Sequence, residues 1–201
     1  IHSILFYDHP NITLSQQFEY LQYILVKRYN TVKRIDLSDM DITDDDIVYL
    51  CNMVEEIAKY LQMKRKKKDL VMHLHELNLS LNPKITDKHV ALLLRTIKKH
   101  LPKMTDLYLS SSNVTNASIA VILKYNIVKM KVHLTHCKAV TLKALLKHVR
   151  GDYDEDIAEK YVYCNKLIYF VSEKEPAQGD ASDNRRGRVG KNKAKKWKRG
   201  K

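Results

Sequence analysis

Apolar residues recur along most of the chain in two alternating rhythms. Short stretches place them at i, i+3 and i+5: Val32, Ile35 and Leu37, then Leu74, Leu77 and Leu79, then Met104, Leu107 and Leu109. Ile1, Ile4 and Phe6 fit the same frame, and a weaker copy has Lys129 in the first slot, followed by Val132 and Leu134. The last two apolar positions of each set have the two-residue period of a strand. They are therefore expected to face a core while their neighbours face the opposite way. A β-branched aliphatic residue and a threonine follow each strand: Ile12-Thr13, Ile42-Thr43, Ile85-Thr86, Val114-Thr115 and Val140-Thr141. These threonines read as helix N-caps. Thr43 precedes Asp44-Asp45-Asp46, where the positive end of a helix favours carboxylates. Behind it Ile47, Leu50, Val54, Ile57 and Leu61 recur at helical spacing and predict a helix from Asp44 to Met63. Leu14, Phe18, Leu21 and Leu25 predict a helix in the first unit. Val90, Leu93, Ile97 and Leu101 predict another, stopped at Pro102. Leu142, Leu145, Leu146 and Val149 predict the last, with Gly151 as its stop.

The strand–threonine–helix unit thus starts afresh at residues 1, 32, 74, 104 and 129. One such unit cannot cover its own apolar face, but stacked units can. In pattern, order and following helix the segment 1–149 resembles the leucine-rich repeat family, specifically its longer helical type, the kind seen in ribonuclease inhibitor. The resemblance implies an α/β solenoid, a curved parallel sheet backed by helices. The family's asparagine or cysteine turn position is filled at Asn82 and Cys137, whereas His9, Met40 and Ser112 occupy it elsewhere and interrupt the expected ladder of side-chain bonds. Residues 150–172 hold an acidic segment, Asp152–Lys160, expected to be a short helix. Two expected strands, 161–163 and 166–171, flank Cys164-Asn165, and together these are placed to cap the last apolar layer. From residue 173 to 201 the composition turns to Glu, Pro, Ala, Gly, Asp, Ser and Asn and then to Lys and Arg, which predicts a linker and a disordered basic tail.

With 201 residues, 44% of them hydrophobic, the chain can bury a real core. It carries no apolar run of the roughly 18 residues that a membrane-spanning helix needs, and no signal segment is visible. Three scattered cysteines, Cys51, Cys137 and Cys164, do not make a disulfide framework and point to a reducing, intracellular setting. The nucleus or cytoplasm is the expected compartment, with the mitochondrion as an alternative. Opening on Ile1 instead of Met, with an apolar strand at once, predicts a processed chain or one with residues missing ahead of it, and an uncapped sheet edge there. The net charge of +13 is concentrated in two places: the run Lys64, Arg65, Lys66, Lys67 and Lys68, and the tail, while the remainder sums to neutral.

Enzymatic chemistry finds little footing. Neither phosphate-cradling glycine motif occurs, nor does C-x-x-C, and no cofactor is expected. His133, His136 and Cys137 are the best metal candidates, but His133 belongs to one sheet face and Cys137 to a buried turn, so no metal site is expected. Ser38, Ser80, Ser110 and Thr135 form a column on the predicted inner wall, which reads as repeat architecture, not as a set of nucleophiles. A catalytic site would need His133, Asp106 and Ser110 to meet in a deep pocket. The N-x-S/T triplets and Arg150-Gly151-Asp152 carry no weight in an intracellular chain.

The inner wall is the better candidate for function. Arg34, Asp36, Glu76, Asn78, Asp106, Tyr108, Lys131 and His133 give it mixed charge and an aromatic anchor, suited to a protein partner. Asp36, Glu76 and Asp106 would repel bare phosphate. The second device is the tail, where Arg185, Arg186, Arg188, Lys193, Lys195, Lys196, Lys198 and Arg199 surround Trp197. Such a segment neutralises phosphates and offers an indole for base stacking. A non-catalytic adaptor or scaffold follows, holding a protein on its concave sheet and RNA or another polyanion on its tail, as a subunit of a larger complex. The alternative is an RNA-binding ribonucleoprotein or ribosome-associated component whose tail carries the main contact.

Overall fold

The structure, a computed structural model, describes residues 2–6, 11–64, 70–125, 127, 129–141, 144–145, 162–164 and 168–170. In chain order the described elements are β1 (Ser3–Leu5), α1 (Leu14–Arg28), β2 (Arg34–Asp36), α2 (Asp44–Met63), β3 (Glu76–Asn78), a 3-10 turn (Asp87–His89), α3 (Val90–His100), β4 (Asp106–Tyr108), α4 (Asn116–Tyr125), β5 (Lys131–His133), β6 (Val162–Cys164) and β7 (Ile168–Phe170).

The strands lie side by side in the order β1-β2-β3-β4-β5-β7-β6. The first five are parallel and in register, so Ile4, Ile35, Leu77, Leu107 and Val132 form one row across the sheet. Every member of that row is buried. Behind them Leu37, Leu79, Leu109 and Leu134 make a second row with no exposure. The helices return between consecutive parallel strands and cover this face, as right-handed crossovers require. Their buried side, for example Leu50, Val54, Ile57 and Leu61 of α2, joins the strand residues in one continuous core. β7 continues the sheet parallel to β5, and β6 pairs antiparallel with β7.

Thr13 and Thr43 each close a capping box, with Gln16 and Asp46 respectively reaching back to the cap N–H. Asp44, the residue after Thr43, also accepts from the next unit: the N–H and hydroxyl of Thr86 reach its carboxylate at 3.0 and 2.6 Å. The pattern repeats where Asp87 accepts from the N–H and hydroxyl of Thr115 at 3.0 and 2.6 Å. Asn116 then accepts from the Thr141 N–H at 2.9 Å. Thr86, Thr115 and Thr141 are thus each tied to the start of the preceding helix by such a rung.

Asn82 is fully buried in the turn after β3. Its side-chain oxygen accepts from Met40 and Ile42 N–H at 3.0 and 2.9 Å, and its amide donates to the carbonyls of Leu37, Leu79 and Ser80. Cys137 fills the equivalent place two units on, its thiol 3.2 Å from the Leu109 carbonyl. The expected interruption of this ladder is partial, since the Ser112 hydroxyl donates to the same Leu109 carbonyl at 2.7 Å. Met40 is buried in its place with a side chain that can neither donate nor accept strongly. The residue before each slot, Asp39, Leu81, Ser111 or His136, has a left-handed φ between 57 and 60°.

The structure corrects three expectations. The first slot of the fifth unit is Met130, buried, while Lys129 is exposed at a φ of 71°; the approach to β5 is tightened by a turn in which the Met130 N–H bonds the Ile127 carbonyl. The third helix starts as a 3-10 turn, and α3 proper begins at Val90. Cys164 belongs to strand β6, not to the connection after it. The helix expected over 141–149 is described at residues 144–145 alone, with Leu145 buried. The acidic segment 152–160 and the linker and tail from 173 lie outside the described residues.

Candidate partner-binding face

In β2 to β5 the middle residue is buried toward the helices, so its two neighbours point to the sheet's open face. All eight expected face residues therefore stand together in two rows: Arg34, Glu76, Asp106 and Lys131, then Asp36, Asn78, Tyr108 and His133. Leu5 continues the second row onto β1 and is 64% exposed. Beside it, Leu5, Phe6, Ile12 and Tyr20 line a hollow of about 530 Å³ at the β1 edge.

The two halves of the face differ in chemistry. On β2 and β3 the polar groups satisfy one another. Arg34 meets Asp36 at 2.9 Å and Glu76 at 3.6 Å. Asp36 also accepts from the Ser38 N–H at 3.1 Å, the Ser38 hydroxyl at 2.7 Å and the Asn78 amide at 2.9 Å. Burial alone would raise the Asp36 pKa, but the bonds from Ser38, Arg34 and Asn78 outweigh it and hold the carboxyl below its usual value. Asn78 repeats the motif, accepting from the Ser80 N–H at 3.0 Å. These carboxylate and amide side chains close local turns at the strand ends.

On β4 and β5 aromatic rings replace them. Tyr108 and His133 stack with centroids 4.1 Å apart and planes 12° off parallel. His133 Nε2 lies 2.9 Å from Asp106 Oδ1, which fixes the imidazole's rotation. Burial raises the Tyr108 pKa and the charges of Asp106 and Glu76 raise it further, so the phenol remains a neutral donor at physiological pH. The result is a flat aromatic step with Asp106 and Lys131 beside it in the neighbouring row.

The arrangement brings together two of the three residues a catalytic reading needs, Asp106 and His133; among the described residues no hydrogen bond joins Ser110 to them. Cys137 turns into the core, where burial raises its thiol pKa, and His133 turns to the open face. Cys51 is likewise buried, with its thiol pKa raised. Among the described residues no three His, Cys, Asp or Glu side chains gather in a metal-binding group, and no helix is long and apolar enough to cross a membrane.

Lys64, the first residue of the expected polyanion site, follows α2, exposed, with its ammonium 4.6 Å from the centre of the Tyr60 ring. Arg65, Lys66, Lys67, Lys68 and the tail residues lie outside the described residues. The rungs at Asp44, Asp87 and Asn116 were not anticipated. Their signal in the sequence is an acceptor directly after each of three N-cap threonines.

Leu74, Leu77, Leu79, the buried Asn82 and Ile85 make up one complete unit of the fold, and here a comparison with known families agrees with the geometry. Residues 72–88 match the leucine-rich repeat family. The matched repeat holds β3, the Asn82 turn and the Thr86 cap. No curated protein matches the chain. A leucine-rich repeat within a parallel sheet backed by helices favours a role in protein interaction, and domains of this kind are generally non-catalytic.

Proposed function

We propose that the chain is a non-catalytic adaptor, a leucine-rich-repeat solenoid of the ribonuclease-inhibitor type over 1–149, capped by 150–172. Its concave sheet face docks a protein partner. The observation that carries this reading is the Tyr108–His133 stack beside Asp106, an aromatic step held ready on the open face. A fixed aromatic platform sacrifices little conformational freedom on binding, the property of a hot spot. Lys131 and Arg34 supply opposite charge at either side, which sets register for a partner of mixed sign. The Lys/Arg tail at 173–201, with Trp197, tethers the adaptor to RNA or another polyanion inside an intracellular assembly.

Affinity capture with and without nuclease tests the proposal. Partner capture is expected to survive removal of residues 176–201 and to fail in the double variant Tyr108→Ala, Asp106→Lys. Loss of all association on tail removal, with the face variant unaffected, would replace it with the ribonucleoprotein reading.

A further inference from the structure

Parallel strands with a helix between each pair force every helix to run the same way, so all helix C-termini emerge at one edge of the molecule. That edge is lined with cations. Lys27 and Arg28 end α1, Lys98 and Lys99 end α3, and Lys124 ends α4. Lys64 follows α2, and the loops leading back to the strands add Lys33, Lys103 and Lys129, all exposed. The Arg65–Lys68 run follows Lys64 directly in the chain. The opposite edge, where the helices start, carries Asp41, Asp44, Asp45, Asp46 and Asp87.

Helix ends attract some of this charge, but not all of it. Each C-terminus carries roughly half a negative unit, so the four helices account for about two cations. Among the described residues nine stand at the edge. Contacts join the α3 end to both neighbours: Lys98 reaches the Tyr125 carbonyl of α4 at 3.0 Å, and Lys99 lies 3.7 Å from Glu55 of α2. Burial lowers the His100 pKa, and the neighbouring Lys99 and Lys59 lower it further against the opposing charge of Glu55.

We propose that this edge is a second polyanion-binding surface, fitted to the phosphate backbone of a nucleic acid lying across the helix ends. Neighbouring helices stand roughly 8–10 Å apart, so the cations recur along a row on the order of 30 Å. A row of that length matches a linear polyanion better than a single small anion. An anionic membrane is the weaker fit, because stable anchoring needs apolar side chains to insert. Among the described residues Met63 and Tyr23 are the large side chains exposed near these helix ends, and Tyr23 lies under the Lys27 ammonium at 5.9 Å, so little apolar surface is left to insert. The proposal is independent of what docks on the open face.

The test uses the full chain and a fluorescein-labelled 30-nucleotide uridine RNA, with Kd measured across a salt series. The edge triple Lys103→Gln, Lys124→Gln, Lys129→Gln removes three exposed cations. The control triple Lys84→Gln, Lys88→Gln, Lys138→Gln removes the same charge from the opposite edge. The edge triple is expected to weaken binding roughly tenfold near 0.1 M salt and to flatten the logarithmic salt slope by about 2, while the control stays near the parent. Arginine at the three edge positions should restore binding. Parent-like affinity in the edge triple, or equal loss in both triples, overturns the proposal. So does a loss confined to phosphatidylserine vesicles with RNA binding intact.

Discussion

Asn82 shows how much one residue can determine. A fully buried amide is costly unless it is satisfied, and this one closes two turns in neighbouring repeats at once. Asn82→Ala is expected to lower the unfolding free energy by about 3 kcal/mol in urea titration, because it leaves the Met40 and Ile42 N–H groups buried without an acceptor. Loss of under about 1 kcal/mol would show that the turns hold without it. Leu81 beside it carries the opposite signature: φ is 60° and the side chain is 53% exposed. A left-handed leucine is strained where asparagine is at ease, so Leu81→Asn is expected to gain about 0.5–1 kcal/mol in the same titration. The resemblance to the leucine-rich repeat family made Asn82 legible as a turn residue. Nothing in it marked Leu81, since a backbone angle imposed by the stacking of repeats leaves no trace in hydrophobic periodicity.

Helix starts are where elements speak to one another. Their threonine caps could be read locally, because a cap is satisfied within four residues. The rungs could not, since Asp44 meets Thr86 and Asp87 meets Thr115 only after folding sets the repeats side by side. Asp87 shows the electrostatic consequence. Burial would raise its pKa, yet bonds from Ser118 and Thr115 outweigh it and the carboxyl is held below its ordinary 3.8. Asp36 is depressed in the same direction. A carboxyl depressed in the folded state contributes stability that is complete above its unfolded pKa and disappears as pH falls through the folded one. The urea midpoint is therefore expected to hold level above roughly pH 5 and to fall steadily below pH 4, and Asp87→Asn should flatten part of that fall. An unchanged acid limb in Asp87→Asn would mean the rung contributes nothing to stability.

At the scale of the whole molecule, summing charge over the chain hid what the fold does with it. The basic run and tail account arithmetically for the net charge, which made the remainder look featureless. Yet the last turns of α1, α3 and α4 carry Lys27, Lys98 and Lys124 to the same edge, and only the common helix direction reveals that. The open face was easier to foresee, because strand alternation alone assigns Arg34, Asp36, Glu76 and Asn78 to it. The Tyr108–His133 stack depended on register between strands, which alternation leaves open. Stability should also be graded across the sheet. The amides of Leu79 and Leu109 bond to the carbonyls of Tyr108 and His133 beneath fully buried side chains. Their hydrogen exchange is expected to be slowest, with β1 amides at the sheet edge exchanging first; uniform protection would contradict this gradient. The rungs between helix starts carry one more implication. Asp44 and Asp87 each accept both the N–H and the hydroxyl of the following repeat's threonine. Asn116 keeps the first bond while its amide donates to the Thr141 hydroxyl, so the rungs behave as a closely related coupling between successive parts. Excising residues 74–103 would present Thr115 to Asp44, so the edge where the helices start can close over a missing unit, whereas the turn edge would have to exchange the Asn82 amide for the Ser112 hydroxyl.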